Sequence, residues 1–75
     1  MAIEVKLDTQ GRRGKTVTMV KNIQHNPQVI EKLAKDLKKH CGAGGTNYQK
    51  IIEIQGDHVD KVKKYLQKNG YDVKG

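Results

Sequence analysis

Residues 41–57 read CGAGGTNYQKIIEIQGD, and this stretch indicates how the chain is built on either side of it. Its glycine-rich start is typical of a helix end, because glycine readily adopts the positive φ that closes a helix. The isoleucines of residues 51–54 predict a short strand, and Gly56-Asp57 predicts a turn that opens a helix. One helix should therefore precede this stretch and another should follow it.

The helix before Gly42 has the strongest pattern in the chain. Asn26 can cap its start, and Pro27 suits the first turn, where a missing N–H costs nothing. Apolar residues recur at helical spacing, and the basic residues of the last turn complement the helix dipole. The predicted apolar stripe consists of Val29, Ile30, Leu33, Ala34, Leu37 and Cys41.

The remaining elements are four strands and a second helix. Residues 3–8 alternate between apolar and polar, as in a half-buried strand. A partner strand at 16–23 loses this alternation at Met19-Val20, which indicates either a bulge or burial on both faces. The isoleucine strand spans 50–55. The second helix, capped by Asp57, turns Val59, Val62 and Leu66 inward, ends at Gly70 and precedes a short strand at 71–73.

The element order ββαβαβ predicts an α+β fold, a two-layer α/β sandwich within a single domain of residues 1–75. Two strand–helix–strand crossovers imply parallel neighbours, and therefore a mixed sheet. Because such connections are right-handed, both helices should pack on one face of that sheet. The other face is left open for a binding partner.

The charge of the chain favours a polyanionic partner, either nucleic acid or an anionic membrane face. Fifteen Lys and Arg oppose eight Asp and Glu, giving a net charge of +7 that is spread along the chain. Three tyrosines are its only aromatic residues, so it lacks the platforms that stack single-stranded bases. We therefore expect binding to structured RNA through phosphates and shape. The lack of a long apolar run or signal peptide, and the single Cys41, predict a soluble, cytoplasmic monomer without membrane contact.

Two kinds of basic surface are candidates for RNA contact. A basic tip at Gly11, Arg12, Arg13, Gly14 and Lys15 lies between the first two strands, where arginines can reach phosphates. Each helix also carries a lysine stripe opposite its apolar face, and periodicity does not decide which stripe binds. The stripes are Lys32, Lys35 and Lys39 with Lys38 at the margin, and Lys61, Lys64 and Lys68.

Apparent catalytic motifs fail on their context. Gly14-Lys15-Thr16 lacks the upstream glycine of a nucleotide-binding loop and leads into a strand rather than a helix. The glycines of residues 42–45 follow a helix C-terminus, whose partial charge is negative. His40 and Cys41 diverge around the helix, and Cys41 lies on the apolar face. We therefore expect no catalytic residues, no metal and no cofactor.

Three segments together resemble the SUI-type translation initiation factor 1 family, especially its archaeal members and short bacterial YciH-like relatives. They are RGKTVT at 13–18, LAKDLKK at 33–39 with CGAGGT at 41–46, and IEIQGD at 52–57. The likeness covers nearly the whole chain. It implies a non-catalytic factor that binds small-subunit rRNA near the P site and disfavours a wrong codon or initiator tRNA, with initiator tRNA and other initiation factors as further partners.

The resemblance also implies which residues contact the ribosome, and it favours the first helix over the second. Two alternatives remain: a general structured-RNA-binding protein or RNA chaperone, and a protein-interaction module that uses the open sheet face. The implied contacts are the basic tip at Gly11, Arg12, Arg13, Gly14 and Lys15, the helix lysines Lys32, Lys35, Lys38 and Lys39, and a second loop at Asn47, Tyr48, Gln49 and Lys50.

Overall fold

The computed structural model describes residues 2–9 and 15–74, which form a four-stranded sheet and two helices. Neighbouring strands of this sheet are antiparallel, in the spatial order β1-β2-β4-β3. The strands are β1 Glu4–Asp8, β2 Val17–Lys21, β3 Gly45–Tyr48 and β4 Ile51–Gln55, and the helices are α1 Pro27–Cys41 and α2 Val59–Lys68.

The predicted α+β class is confirmed, but the predicted order ββαβαβ omits one strand. β3 precedes the isoleucine strand β4 and forms a hairpin with it. This extra reversal makes β2 and β4 antiparallel neighbours, where the sequence had indicated a parallel crossover. A parallel pairing occurs instead at the edge of β1, as a bridge between Ile3 and Val73.

The strand register defines two ends of the sheet. We call the end at which β1 finishes and β2 begins the hairpin end. There, Val17 of β2 lies between Asp8 of β1 and Gln55 of β4. At the opposite turn end, Gln49 and Lys50 connect β3 to β4. The chain enters α1 at the turn end and leaves it at the hairpin end, and it enters α2 at the hairpin end and leaves it at the turn end.

The two helices run in opposite directions across the sheet. The segment leading into α1 is held at the turn end, where Ile23 N donates to Lys50 O at 3.3 Å. The segment leaving α1 reaches the hairpin end, where Gln55 N donates to Gly44 O at 2.9 Å. α2 begins at the hairpin end and returns to the turn end, where Lys74 N donates to Ile3 O at 2.8 Å.

The core lies between one face of the sheet and both helices. Val5, Val20 and Ile52 stand side by side in register and share a cluster with buried residues of α1 and α2. The register between β1 and β2 continues through Met19 without a bulge. Val17 and Met19 are buried but do not belong to the core cluster, because they lie on the face turned away from the helices. β2 is therefore buried on both faces, the second of the two alternatives for Met19-Val20.

The predicted ends of α1 are confirmed. The Asn26 side chain accepts a hydrogen bond from Val29 N at 2.9 Å, and Gly42 takes the left-handed conformation with φ 63°. The predicted cap of α2 is wrong by one residue: the N-cap is His58, whose side chain makes no capping bond. The Asp57 carboxylate lies 3.5 Å from Val59 N.

Thr18 supplies the polar link between β2 and the start of α2. Its side chain is fully buried, and its hydroxyl donates to Gly56 O at 2.7 Å. The Thr18 hydroxyl oxygen also accepts a hydrogen bond from His58 N at 2.8 Å. One hydroxyl therefore satisfies two backbone groups at the Gly56 turn, and ties the first turn of α2 to the sheet.

We expect Thr18→Val to lower the free energy of unfolding by about 1–3 kcal/mol, because it leaves both backbone groups without their buried partner. Urea denaturation measures the change, and amide exchange at His58 locates it. Thr18→Ser keeps the hydroxyl and should keep the protection of the His58 amide. Equal protection in the valine and serine variants would contradict this role.

Candidate nucleic-acid interface

α1 presents a lysine-rich surface because its apolar residues are taken up by the core. Ile30, Leu33, Ala34, Leu37 and Cys41 are buried against the sheet. The residues on the opposite side of the helix are then turned outward. We call this outer surface the lysine face, and it consists of the exposed Lys32, Lys35 and Lys39 with the half-buried Lys38 at its margin.

The lysines of this face differ in their partners. Lys32 forms an ion pair with Asp36 at 3.1 Å. The hydrogen bond and charge of Asp36 raise the pKa of Lys32 above its ordinary value. Within residues 2–9 and 15–74, no ion pair involves Lys35, Lys38 or Lys39. These three charges are available to a polyanion.

The basic tip falls largely outside the described residues. Gly11, Arg12, Arg13 and Gly14 lie in that undescribed segment, so their predicted role stays a prediction. Lys15 is described: it is exposed and enters β2 at the hairpin end of the sheet.

Only two of the four residues predicted for the second contact loop lie in a loop; the other two belong to a strand. Asn47 and Tyr48 belong to β3, and the β3–β4 turn consists of Gln49 and Lys50. Asn47 is half-buried, whereas Tyr48 is 44% exposed and donates a hydrogen bond from its hydroxyl to Glu53. Lys50 is exposed at the turn end.

The structure therefore separates the predicted contacts into three places. Lys15 and Lys50 lie at opposite ends of the sheet, about 15 Å or more apart along the strands. α1 spans this distance, because it runs from the turn end back to the hairpin end. A long ligand that follows the lysine face could therefore contact both ends.

The adjacent side chains of His40 and Cys41 lie in different surroundings, one exposed and the other buried. Burial raises the pKa of the Cys41 thiol, partly offset by the positive charge of Lys61. His40 packs its ring against Tyr65, with the ring centroids 4.8 Å apart. In the part of the chain that the structure describes, no group of three His, Cys, Asp or Glu could hold a metal ion.

A set of aromatic residues was missed by the sequence reasoning. Tyr65 of α2 and Tyr71 line a cleft beside α1, each with a histidine ring against it. Tyr65 stands three residues after the buried Val62, so its place beside the apolar stripe was readable. The neighbours of Tyr71 could not be predicted from the sequence, because they depend on how α1 and α2 pack.

Fold and charge define a small basic α+β protein with a lysine-rich helix on its surface. Among residues 2–9 and 15–74, no helix is both long and apolar enough to cross a membrane. The sequence pattern of the family Translation initiation factor SUI1 matches residues 1–72. The chain belongs to this family, which confirms the resemblance seen in its three sequence segments.

Relatives come from both bacteria and archaea. The "Uncharacterized protein YciH" of Salmonella typhimurium is 43% identical over 72 residues, which are 96% of this chain and 67% of that protein. The "Protein translation factor SUI1 homolog" of Thermoplasma volcanium is 44% identical over 73 residues, 96% of this chain and 72% of that protein. The homolog of the same name from Sulfolobus acidocaldarius is 43% identical over 68 residues, 89% and 69% of the two chains.

We expect Cys41 to be chemically inert in the folded protein. Because its thiol is buried and its pKa is raised, the reactive thiolate is scarce and inaccessible. Iodoacetamide alkylation, followed by mass spectrometry near the ordinary thiol pKa of about 8.5, should be roughly 100-fold slower than in urea. Cys41→Ser provides the background, and equally fast alkylation with and without urea would contradict a buried thiol.

Proposed function

We propose that this protein is a non-catalytic initiation factor that binds small-subunit rRNA near the P site. It would promote accurate selection of the start codon and the initiator tRNA. The observation that carries the proposal is the lysine face of α1, in a chain that belongs to a translation initiation factor family. Its three lysines without ion pairs among the described residues suit a phosphate backbone, which supplies most of the affinity in such complexes.

The proposed contacts are arranged around this face. The lysine face docks on rRNA. Lys15, with the basic tip that precedes it in the sequence, acts at the hairpin end, and Asn47, Tyr48 and Lys50 act at the turn end. Initiator tRNA and other initiation factors are the partners proposed for these two ends. The protein acts as a cytoplasmic monomer, with residues 1–75 as one initiation factor domain and no cofactor.

Discrimination would arise from competition for space on the subunit. Arg12 and Arg13 occupy a place that a mismatched codon–anticodon helix or a wrongly seated initiator tRNA also needs. Correct pairing releases enough free energy to displace the tip, and incorrect pairing does not. Selection is then a difference between two binding free energies.

Co-sedimentation with purified small ribosomal subunits, with large subunits and duplex RNA as competitors, tests the proposal. Saturable, near-stoichiometric binding that neither competitor removes supports the initiation factor role. Equal binding to all three would indicate the alternative, a general structured-RNA-binding protein or RNA chaperone. Weak binding to every RNA would point to a protein-interaction module.

Replacing Lys35, Lys38 and Lys39 together by Gln should weaken small-subunit binding by roughly tenfold or more. The slope of log affinity against log salt should fall by about 2 to 3, because three phosphate contacts are lost. Lys32 is left in place because it pairs with Asp36.

The matched control replaces Lys61, Lys64 and Lys68 of α2, which removes the same number of charges from the other helix. If only the net charge matters, both triple variants lose the same affinity. That result would contradict docking through α1.

Replacing Arg12 and Arg13 by Ala should relax start-site selection while subunit binding persists through the lysine face. A reconstituted initiation assay that compares a correct with a near-cognate start codon measures this ratio, and circular dichroism checks the fold. Unchanged selection by a folded, subunit-bound double variant would contradict the competition mechanism.

A further inference from the structure

A cleft of about 330 Å³ lies between the antiparallel helices α1 and α2. Val29, Lys32, Leu33 and Asp36 of α1 form one side, and Tyr65, Asn69 and Tyr71 form the other. This volume is at the lower end of the range of about 300–1,000 Å³ in which proteins hold small ligands. It suits a single flat ring system better than a helical peptide.

The two tyrosines of the cleft are fixed by their neighbours. Both are half-buried and pack against the hydrophobic core. His25 meets Tyr71 edge to face, with centroids 5.4 Å apart and an interplanar angle of 87°. The His40 ring packs against the Tyr65 ring, with an interplanar angle of 42°. Because their rings are held in place, stacking a ligand on them would cost little conformational entropy.

The polar groups of the cleft suit the edge of a nucleobase. The Asn69 amide nitrogen donates to Tyr65 O at 2.8 Å, which orients the side chain. The amide oxygen and the Asp36 carboxylate are acceptors, and the Lys32 ammonium beside Asp36 is a donor. A carboxylate within the cleft disfavours a phosphate there, so the phosphates must remain outside.

Lys32 connects the cleft to the lysine face. It lines the cleft, and it also belongs to the outer surface formed with Lys35, Lys38 and Lys39. An RNA strand whose phosphates lie on α1 at Lys32 would therefore reach the cleft that Tyr65 and Tyr71 line. A base that is not paired in a duplex can turn out of the strand and enter.

We propose that the cleft between α1 and α2 binds one unpaired RNA base by stacking on Tyr65 and Tyr71, while the flanking phosphates lie on the lysine face. This rests on the proposed function only in requiring RNA along α1. It gives the protein a preference for a bulged or looped nucleotide over a plain duplex. The sequence alone had indicated binding without base stacking.

The test compares two RNA duplexes, one with a single bulged adenosine and one fully paired, with a terminal phosphate added to the paired duplex so that both carry equal charge. The wild-type protein should bind the bulged RNA about 5- to 100-fold more tightly, the usual effect of stacking one base on aromatic side chains. A fluorescent purine analogue at the bulge should change its emission on binding to the wild-type protein. This second readout needs no variant.

Tyr71→Leu should abolish the preference, because it retains apolar contact with the core but has no aromatic ring. Tyr71→Phe is the matched control that retains the ring and should retain the preference. Thermal melting of both variants checks the fold, and Tyr65→Leu with Tyr65→Phe provides a second pair.

Equal binding of the two RNAs by the wild-type protein, or an undiminished preference in folded Tyr71→Leu and Tyr65→Leu, would overturn the inference. So would displacement of the bulged RNA by poly-glutamate from the wild-type protein but not from Tyr71→Leu, which would make the cleft a peptide site. Because the two RNAs carry the same charge, the lysine face contributes equally to both. Failure of the proposed function appears separately, as absent binding to small subunits.

Discussion

The antiparallel pairing of β2 with β4 joins two hairpins into one sheet and sets the position of every other element. Since β4 must run opposite to β2, the chain between them has to return along the full length of the sheet before β3 begins. α1 makes this return. The same pairing brings Thr18 to the turn at Gly56, so that the start of α2 is fixed at the hairpin end.

A small core then decides which surfaces remain for a partner. The sheet has few buried apolar residues, and both helices must contribute their apolar stripes to cover one face of it. The polar sides of both helices are consequently turned outward, and here they carry most of the lysines that the structure describes. A basic outer layer is thus a consequence of burial combined with a +7 chain.

Much of the fold was readable from local patterns, and the main omission has a physical cause. The caps Asn26 and Gly42 and the alternation in β1 are signals confined to a few neighbouring residues. β3 carries no such signal, because GTNY at 45–48 has no apolar alternation. It is a strand because β4 offers it a free edge, and because Gly45 lets the backbone approach: a Cβ there would lie 2.2 Å from Glu53 O. Missing this strand also caused the expectation of a parallel crossover.

The candidate interface also has one part that the sequence determined and another that only the tertiary structure decided. The sequence by itself determined the lysine face of α1, because a 3.6-residue period places the lysines opposite the apolar stripe whatever the helix packs against. It also determined the basic composition of the segment between β1 and β2. Only the tertiary structure decided that Lys15 and Lys50 lie at opposite ends of the sheet, and that His25 packs against Tyr71 and His40 against Tyr65. His25 and Tyr71 are 46 positions apart in the chain, and the antiparallel arrangement of α1 and α2 brings the two rings of each pair into contact.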